Sequence, residues 1–367
     1  MIRKGTGMVA TRSSRKTGNI QRGVFAWRSA CVALALFSVS SDLAATEHGG
    51  RLSQSNSDGT MSAQASGIRG GYLTIDASIG DLLHHPAFAG FGRLILPWDD
   101  RAYDSSVRLR DIGALLPYHT HVNPGDVLTA LNRMIDDASS AKTVFYDFYT
   151  RTQKQQEPSR ENTGLFFFRG KPGAPFAVIA PGGGFAYIGA VHEGFPYAAA
   201  ISKQGYNAFV LRYRAGQGGA IATQDLAAAI SYIFRHADML GVGTNGYSLW
   251  GSSAGARMAA SIGSHGVAHF GADNLPRPSA VVLAYTGHAD YASDEPPTFV
   301  VVGEQDGIAP PSAMERRIAA LRHAGTAVEY HKFKNLGHGF GLGTSTSAEG
   351  WVDDAIRFWE RFTKTSN

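Results

Sequence analysis

One stretch near the middle of the chain constrains the fold more than any other. Residues 247–256 read Tyr-Ser-Leu-Trp-Gly-Ser-Ser-Ala-Gly-Ala. A short apolar run therefore precedes the motif Gly-x-Ser-x-Gly, and small, helix-favouring residues follow it. This order predicts a sharp strand-to-helix turn that lifts the hydroxyl of Ser253 above the edge of a sheet. Glycine at 251 and 255 leaves room where a Cβ would meet neighbouring backbone. The stretch therefore predicts Ser253 as a nucleophile.

The pattern needs support from its surroundings. The chain has 44 glycines, so Gly-x-Ser-x-Gly can occur in it by chance. The motif alone is therefore weak evidence for a nucleophile. The prediction depends on a strand before it, a helix after it and partner residues further along the chain.

The first 45 residues predict a secretory signal peptide. They hold seven basic residues and one acid, followed by an apolar run at 30–37 and small residues up to Ala45. The apolar run is too short to span a bilayer, so we expect export to the periplasm or the medium and no stable membrane anchor. This segment carries a formal charge of +6, and the whole chain carries +4, so the rest of the chain carries −2. The basic pI therefore does not indicate a nucleic-acid partner.

Cysteine usage excludes several kinds of site. The single cysteine, Cys31, lies within the predicted signal peptide. The processed chain would have none, which excludes disulfides, thiolate metal sites and a cysteine nucleophile. Residues 46–70 are rich in Gly, Ser, Asn and Gln, and we expect a flexible leader there.

Residues 71–160 predict an N-terminal extension or cap. Prolines break this segment into short pieces, with one clear helix at 124–139 capped by Asn123. Its aromatic residues at 145–149 are expected to pack it onto the main domain rather than to line a cleft. Its aspartates are expected in turns and caps, so we predict no metal site.

Residues 161–365 show the regular alternation of an α/β domain. Alternating strands and helices predict a mostly parallel central sheet with helices on both faces, whose ligands bind beyond the carboxyl ends of the strands. The predicted strands are 165–168, 176–180, 208–213, 247–250, 280–284, 298–302 and 328–333. The predicted helices are 194–204, 222–240, 254–264, 311–324 and 350–363.

A glycine run follows the second of these strands, at 182–184. Neither phosphate-loop pattern is completed here, and a serine nucleophile downstream favours an oxyanion hole. The donors would be the N–H of Gly183 or Gly184 and that of Ala254, with the choice between the two glycines left open.

Two further residues follow strands in positions that suit a catalytic triad. Asp306 follows strand 298–302, with Glu304 as the alternative acid, and His338 follows strand 328–333 between two glycines. The chain order is Ser253, Asp306, His338, which differs from the orders of chymotrypsin and subtilisin. The sequence predicts these three residues as nucleophile, acid and base.

Several motifs between residues 165 and 363 together resemble one family. They are Pro-Gly-Gly-Gly-Phe at 181–185, His-Glu-Gly-Phe-Pro at 192–196, Gly-Tyr-Asn-Ala-Phe-Val-Leu-Arg-Tyr-Arg at 205–214, Gly-x-Ser-x-Gly at 251–255, Asp306 and Gly-His-Gly-Phe at 337–340. This region resembles the α/β-hydrolase esterases of the acetyl-xylan-esterase-like, hormone-sensitive-lipase-related group, particularly the BD-FAE type. The resemblance implies the α/β-hydrolase fold and a serine carboxylic-ester hydrolase with no cofactor. Pro181 stands where many lipase-like relatives carry histidine, which counts against lipase activity.

Three residues after the glycines are candidates for contact with substrate: Phe185, Tyr187 and Glu193. For Glu193 we expect instead that it anchors the loop or caps the helix that begins near Gly194.

The sequence thus predicts an exported enzyme that cleaves small acyl esters, with acetyl esters on carbohydrate fragments as the candidate substrates. One alternative is a peptidase of the prolyl-oligopeptidase type, although no region of propeller length precedes the catalytic domain. The other is a silent hydrolase-fold binding protein, which the presence of all three triad residues disfavours.

Overall fold

The computed structural model describes residues 67–363, which belong to one compact unit. The predicted signal peptide lies outside the described residues, as does the predicted leader up to residue 66. The last residues of that leader are ordered, in contrast to the expectation: β1 (Ile68–Arg69) pairs antiparallel with β2 (Tyr72–Leu73). Gly70 and Gly71 make the turn between them with φ of 59° and 86°, a conformation that favours glycine.

An eight-stranded sheet forms the centre of the fold. Its strands are β3 (Phe145–Tyr146), β4 (Gly164–Phe168), β5 (Pro175–Ala180), β6 (Asn207–Arg212), β7 (Gly243–Ser252), β8 (Ala280–Ala284), β9 (Thr298–Gly303) and β10 (Val328–Phe333). The spatial order is β10-β9-β8-β7-β5-β6-β4-β3. The six strands from β10 to β6 are parallel, and β4 and β3 add on antiparallel. The prediction of a mostly parallel sheet is therefore confirmed.

Helices cover this sheet in two groups. The helices are α1 (Ile79–Leu83), α2 (Gly92–Ile95), α3 (Pro124–Ser139), α4 (Arg151–Gln156), α5 (Phe195–Lys203), α6 (Gly218–Arg235), α7 (Ala237–Leu240), α8 (Ala254–His265), α9 (Pro311–His323) and α10 (Trp351–Thr363). α5 packs against α3 and α10, while α8 packs against α6, and both α5 and α8 contact β5. The two groups therefore lie on opposite faces of the sheet. Between residues 67 and 363, no helix combines the length and the apolar character that a membrane span requires.

The N-terminal segment packs closely onto the sheet and its helices. α3 lies on α5, and its first turn is capped by the side chain of Asn123, which accepts from the N–H of Gly125 and Asp126. β3 extends the sheet at the β4 edge, where the rings of Phe145 and Phe166 pack edge to face at 5.0 Å. Burial of such rings contributes both hydrophobic and aromatic stabilisation. The aromatic residues of this segment thus extend the core of the sheet.

Candidate active site

Ser253 occupies a strained turn between β7 and α8. Its φ of 50° and ψ of −113° are unusual for a residue with a side chain. The turn is closely packed, since a Cβ on Gly255 would lie 1.8 Å from the carbonyl oxygen of Ala180. A Cβ on Gly251 would lie 2.4 Å from the carbonyl oxygen of Gly255. Both glycines are therefore needed for the turn to form.

Three side chains meet at this turn. Nε2 of His338 lies 2.8 Å from Oγ of Ser253, and Nδ1 of His338 lies 2.7 Å from Oδ2 of Asp306. The other carboxylate oxygen of Asp306 accepts from the N–H groups of Ile308 and Ala309, at 2.9 and 2.7 Å. Asp306 and His338 are buried, whereas Ser253 is partly open to solvent. The arrangement allows the imidazole to take a proton from the serine hydroxyl while the carboxylate holds the ring.

The glycine loop lies directly against this serine. A Cβ on Gly182 would come within 2.9 Å of Cβ of Ser253. Gly183 and Gly184 have φ of 124° and 64°, and a Cβ on Gly183 would meet the carbonyl oxygen of Tyr187 at 2.2 Å. Among the described residues, the N–H groups of Gly183, Gly184 and Ala254 have no protein acceptor. These are the groups that the sequence predicts as oxyanion donors.

Glu193 lies beneath the loop rather than in a cleft. It is fully buried, and its Oε2 accepts from the N–H of Gly182 at 2.6 Å. Burial by itself raises the pKa of this carboxyl, but the contacts with His119, His192 and Tyr285 outweigh it and lower the pKa to about 2. A buried carboxylate therefore anchors the loop from below.

The other two substrate candidates lie in different surroundings. Tyr187 is fully buried, and its hydroxyl accepts from the N–H of Tyr118 at 3.0 Å. Neither Tyr187 nor Glu193 presents its side chain to solvent, so a substrate in the open site would not reach them. Phe185 is half-buried, with φ of 61°, and its ring lies near Gly219. Phe185 is the one of the three that is not fully buried.

Residues of the N-terminal segment also reach this site, which the sequence did not predict. Thr120 donates from its hydroxyl to the carbonyl oxygen of His338 at 2.7 Å, and His119 lies 3.0 Å from Glu193. The ring of Tyr118 stacks on Tyr187 with centroids 5.5 Å apart. No local pattern marks these residues, because each contacts a partner that is distant in sequence.

The described residues include no group of three or more His, Cys, Asp or Glu side chains that would hold a metal ion.

Two family models match parts of the chain. The BD-FAE family model matches residues 169–275, and the prolyl oligopeptidase family model matches residues 280–366. The first match includes the glycine loop and Ser253, and the second includes Asp306 and His338. No curated protein sequence matches the chain.

Several solved structures are similar to a little over half of the chain. An acetyl ester-xyloside bifunctional hydrolase from Caldicellulosiruptor lactoaceticus is 20% identical with a TM-score of 0.52, covering 59% of this chain and 95% of its own. An α/β hydrolase from a Medee basin deep-sea metagenome library, MGS-M1, is 26% identical with a TM-score of 0.48, covering 55% and 93%. A thermophilic esterase from Thermogutta terrifontis, solved with propionate, is 20% identical with a TM-score of 0.48, covering 56% and 91%. The sheet order and the first of these likenesses show the α/β-hydrolase fold.

Proposed function

We propose that this α/β hydrolase of the esterase-like group is a serine esterase that cleaves small acyl esters, with acetyl as the preferred acyl group. The observation that carries the proposal is the continuous contact from Ser253 Oγ through His338 to Asp306, at 2.8 and 2.7 Å. It joins a nucleophile, a base and an acid in the geometry that acyl transfer requires.

The reaction follows from these contacts. Oγ of Ser253 attacks the carbonyl carbon of the ester while Nε2 of His338 takes the hydroxyl proton. The negative charge that develops on the carbonyl oxygen is held by the free N–H groups beside Ser253, each contributing about 3 kcal/mol to transition-state stabilisation. His338 then gives its proton to the leaving alcohol, and an acyl-enzyme remains.

Water completes the cycle. His338 takes a proton from water, and the resulting hydroxide attacks the acyl-enzyme. Collapse of the second tetrahedral intermediate breaks the bond to Oγ, releases the carboxylic acid and returns the proton to Ser253. Asp306 holds the imidazole in the required tautomer and stabilises the imidazolium form in both halves of the reaction.

The identity of the acyl group and of the alcohol is inferred from the comparisons. The BD-FAE match and the fold shared with an acetyl ester-xyloside bifunctional hydrolase favour acetyl esters on carbohydrate fragments. We also propose that the chain is exported, since residues 1–45 have the composition of a signal peptide. Cell fractionation followed by N-terminal sequencing of the recovered protein tests export.

Hydrolysis of p-nitrophenyl esters from acetate to octanoate by the full-length chain tests the activity. We expect the highest kcat/KM for acetate and a loss of at least about 10³-fold in kcat for Ser253→Ala. The matched control is Ser252→Ala: this neighbouring serine is fully buried and its hydroxyl contacts Tyr197, so kcat should stay close to wild type. Turnover that survives Ser253→Ala would contradict the proposal.

A peptidase is the second candidate, because the prolyl oligopeptidase family model matches residues 280–366. The same triad would attack an amide carbonyl in place of an ester. Comparing p-nitroanilides of proline-containing dipeptides with p-nitrophenyl acetate separates the two. Efficient amide cleavage, with kcat/KM above that for the ester, would favour the peptidase.

A further inference from the structure

A short piece of the N-terminal segment, residues 117–121, is built into the candidate site. We call it the inserted loop. It lies outside both family-model matches, yet a Cβ on Gly339 would come within 2.8 Å of its backbone. Its residue His119 has a side chain that is only 2% exposed and lies close to Gly189 and to Gly339, which follows His338. A buried histidine in such a place needs partners for both ring nitrogens.

Both ring nitrogens of His119 have partners. Nδ1 lies 2.9 Å from the hydroxyl of Tyr187, which already accepts from the N–H of Tyr118. The hydroxyl proton of Tyr187 is therefore free to go to Nδ1, which leaves the ring proton of His119 on Nε2. Nε2 lies 3.0 Å from Oε1 of Glu193. The hydrogen-bond pattern thus directs an N–H group toward the buried carboxylate.

This contact matters for Glu193 because Nε2 of His119 lies directly against that oxygen, 3.0 Å away. Within residues 67–363, Oε1 has no aligned hydrogen bond, so its position depends on close contacts such as this one. The other oxygen, Oε2, accepts from the N–H of Gly182, the residue just before the free donors of the glycine loop. Fixing Oε1 therefore fixes the rotation of the carboxylate and, with it, the position of Gly182.

We propose that His119 is a positioning residue for the oxyanion hole, acting through Glu193 and Gly182. The inference rests on the proposed esterase activity. Loss of the contact would let the carboxylate rotate and displace the donors beside Ser253. Such donors act mainly on the transition state, so the loss should lower kcat and leave KM nearly unchanged.

Two substitutions separate the two contacts of His119. In His119→Gln the side-chain amide nitrogen takes the place of Nε2 and keeps an N–H group against Oε1 of Glu193. In His119→Asn the shorter amide reaches only the position of Nδ1, so Glu193 loses its partner. We expect kcat for p-nitrophenyl acetate within about 3-fold of wild type for Gln, and lower by about 10- to 100-fold for Asn. KM should stay within about 2-fold and the melting temperatures of the two variants should agree.

A milder variant tests the same role if His119→Asn fails to fold. Tyr187→Phe keeps the stacked ring and removes the hydroxyl that orients His119 and also accepts from the N–H of Tyr118, so a fall in kcat of about 3- to 10-fold is expected. If His119→Asn and Tyr187→Phe keep the wild-type kcat, or if Gln loses as much as Asn at equal stability, the positioning role is overturned.

A fluorophosphonate probe that labels active serine nucleophiles separates this failure from failure of the esterase proposal. Wild-type chain that is neither labelled nor active on any ester would overturn both. Wild-type chain that is labelled and active, with unaffected His119→Asn and Tyr187→Phe, would overturn the role of His119 alone. Labelling of the His119→Asn variant at a slower rate, with an unchanged melting temperature, is the result expected from a misplaced oxyanion hole.

Discussion

The hydroxyl of Thr120 donates to the carbonyl oxygen of His338 at 2.7 Å, across 218 residues of sequence. The backbone N–H of Thr120 also donates to the carbonyl oxygen of Gly339 at 3.0 Å. Two hydrogen bonds from the inserted loop therefore hold the backbone on which the imidazole is mounted. The N-terminal segment and the triad are in this respect one structural unit.

Replacing Thr120 by valine tests this connection. Valine keeps the volume of the side chain but loses the hydroxyl, so the carbonyl oxygen of His338 loses one donor. A hydrogen bond of this kind contributes about 1 kcal/mol, and we expect a fall in kcat of about 5-fold with little change in KM. The measurement is steady-state hydrolysis of p-nitrophenyl acetate. Thr120→Ser restores the hydroxyl and should recover most of the activity; equal rates for serine and valine would contradict the role of the hydrogen bond.

The choice of triad acid can be tested with a matched pair. Asp306→Asn keeps an oxygen for the N–H groups of Ile308 and Ala309 but places an amide against Nδ1 of His338. The imidazole would then hold the wrong tautomer, and kcat should fall by about 10⁴-fold. Glu304→Gln is the control, because Glu304 is exposed and makes no contact with His338. A large loss for Glu304→Gln with a small loss for Asp306→Asn would reverse the assignment.

The parts of the site that lie at strand ends could be predicted from the sequence. Ser253, Asp306 and His338 follow β7, β9 and β10, and the glycine loop follows β5. Parallel strands bring their carboxyl ends to one edge of a sheet, so residues just after apolar runs are expected to meet. Hydrophobic pattern and chain order are sufficient for that inference.

The inserted loop could not be predicted in this way. Residues 117–121 follow a proline-broken segment with no periodic pattern, and the hydrogen-bond partners of the His119 and Thr120 side chains lie 68 and 218 residues away. From sequence, nothing distinguishes His119 from the other histidines outside the predicted triad. Only tertiary packing distinguishes it, since burial and a facing carboxylate are properties of the folded state. Contacts of high sequence separation leave no local signal.

Tyr118 is predicted to limit the length of the acyl group. Its ring is 45% exposed and lies over the glycine loop, where a Cβ on Gly184 would be 3.0 Å from Cε2. Removing the ring in Tyr118→Ala should open space beside the oxyanion donors. We expect the ratio of kcat/KM for octanoate to that for acetate to rise about 10-fold, the size of effect that one apolar pocket contact produces. The p-nitrophenyl ester series measures this ratio directly.

The control for Tyr118 is another exposed tyrosine of the N-terminal segment. Tyr72 is 43% exposed, and its hydroxyl contacts Asp136 on α3 rather than the glycine loop. Tyr72→Ala should therefore leave the octanoate-to-acetate ratio unchanged. A ratio that stays constant in Tyr118→Ala, or that rises equally in Tyr72→Ala, would show that the Tyr118 ring does not border the acyl site.

His192 links this region to the pH dependence of stability. It is 4% exposed, and its Nε2 donates to the carbonyl oxygen of Gly339 at 2.9 Å. Burial lowers the pKa of His192 to about 4, and the neighbouring His119 contributes in the same direction. Between this value and the ordinary pKa of about 6.5, the unfolded chain binds a proton that the folded chain does not. The free energy of unfolding therefore falls as the pH is lowered through this range.

From pH 7 to pH 5, the lowered pKa of His192 predicts a loss of about 2 kcal/mol in the free energy of unfolding. His192→Gln keeps a donor for Gly339 and cannot titrate, so urea unfolding at the two pH values should show a loss smaller by that amount. Some dependence of the free energy of unfolding on pH should remain in His192→Gln, because burial also lowers the pKa of His288 to about 4. Glu193 does not act in this window: its pKa is lowered to about 2, so its stabilisation is lost only as the pH falls from about 4.5 through 2. Equal losses in wild type and His192→Gln would contradict the assignment of the pH dependence to this histidine.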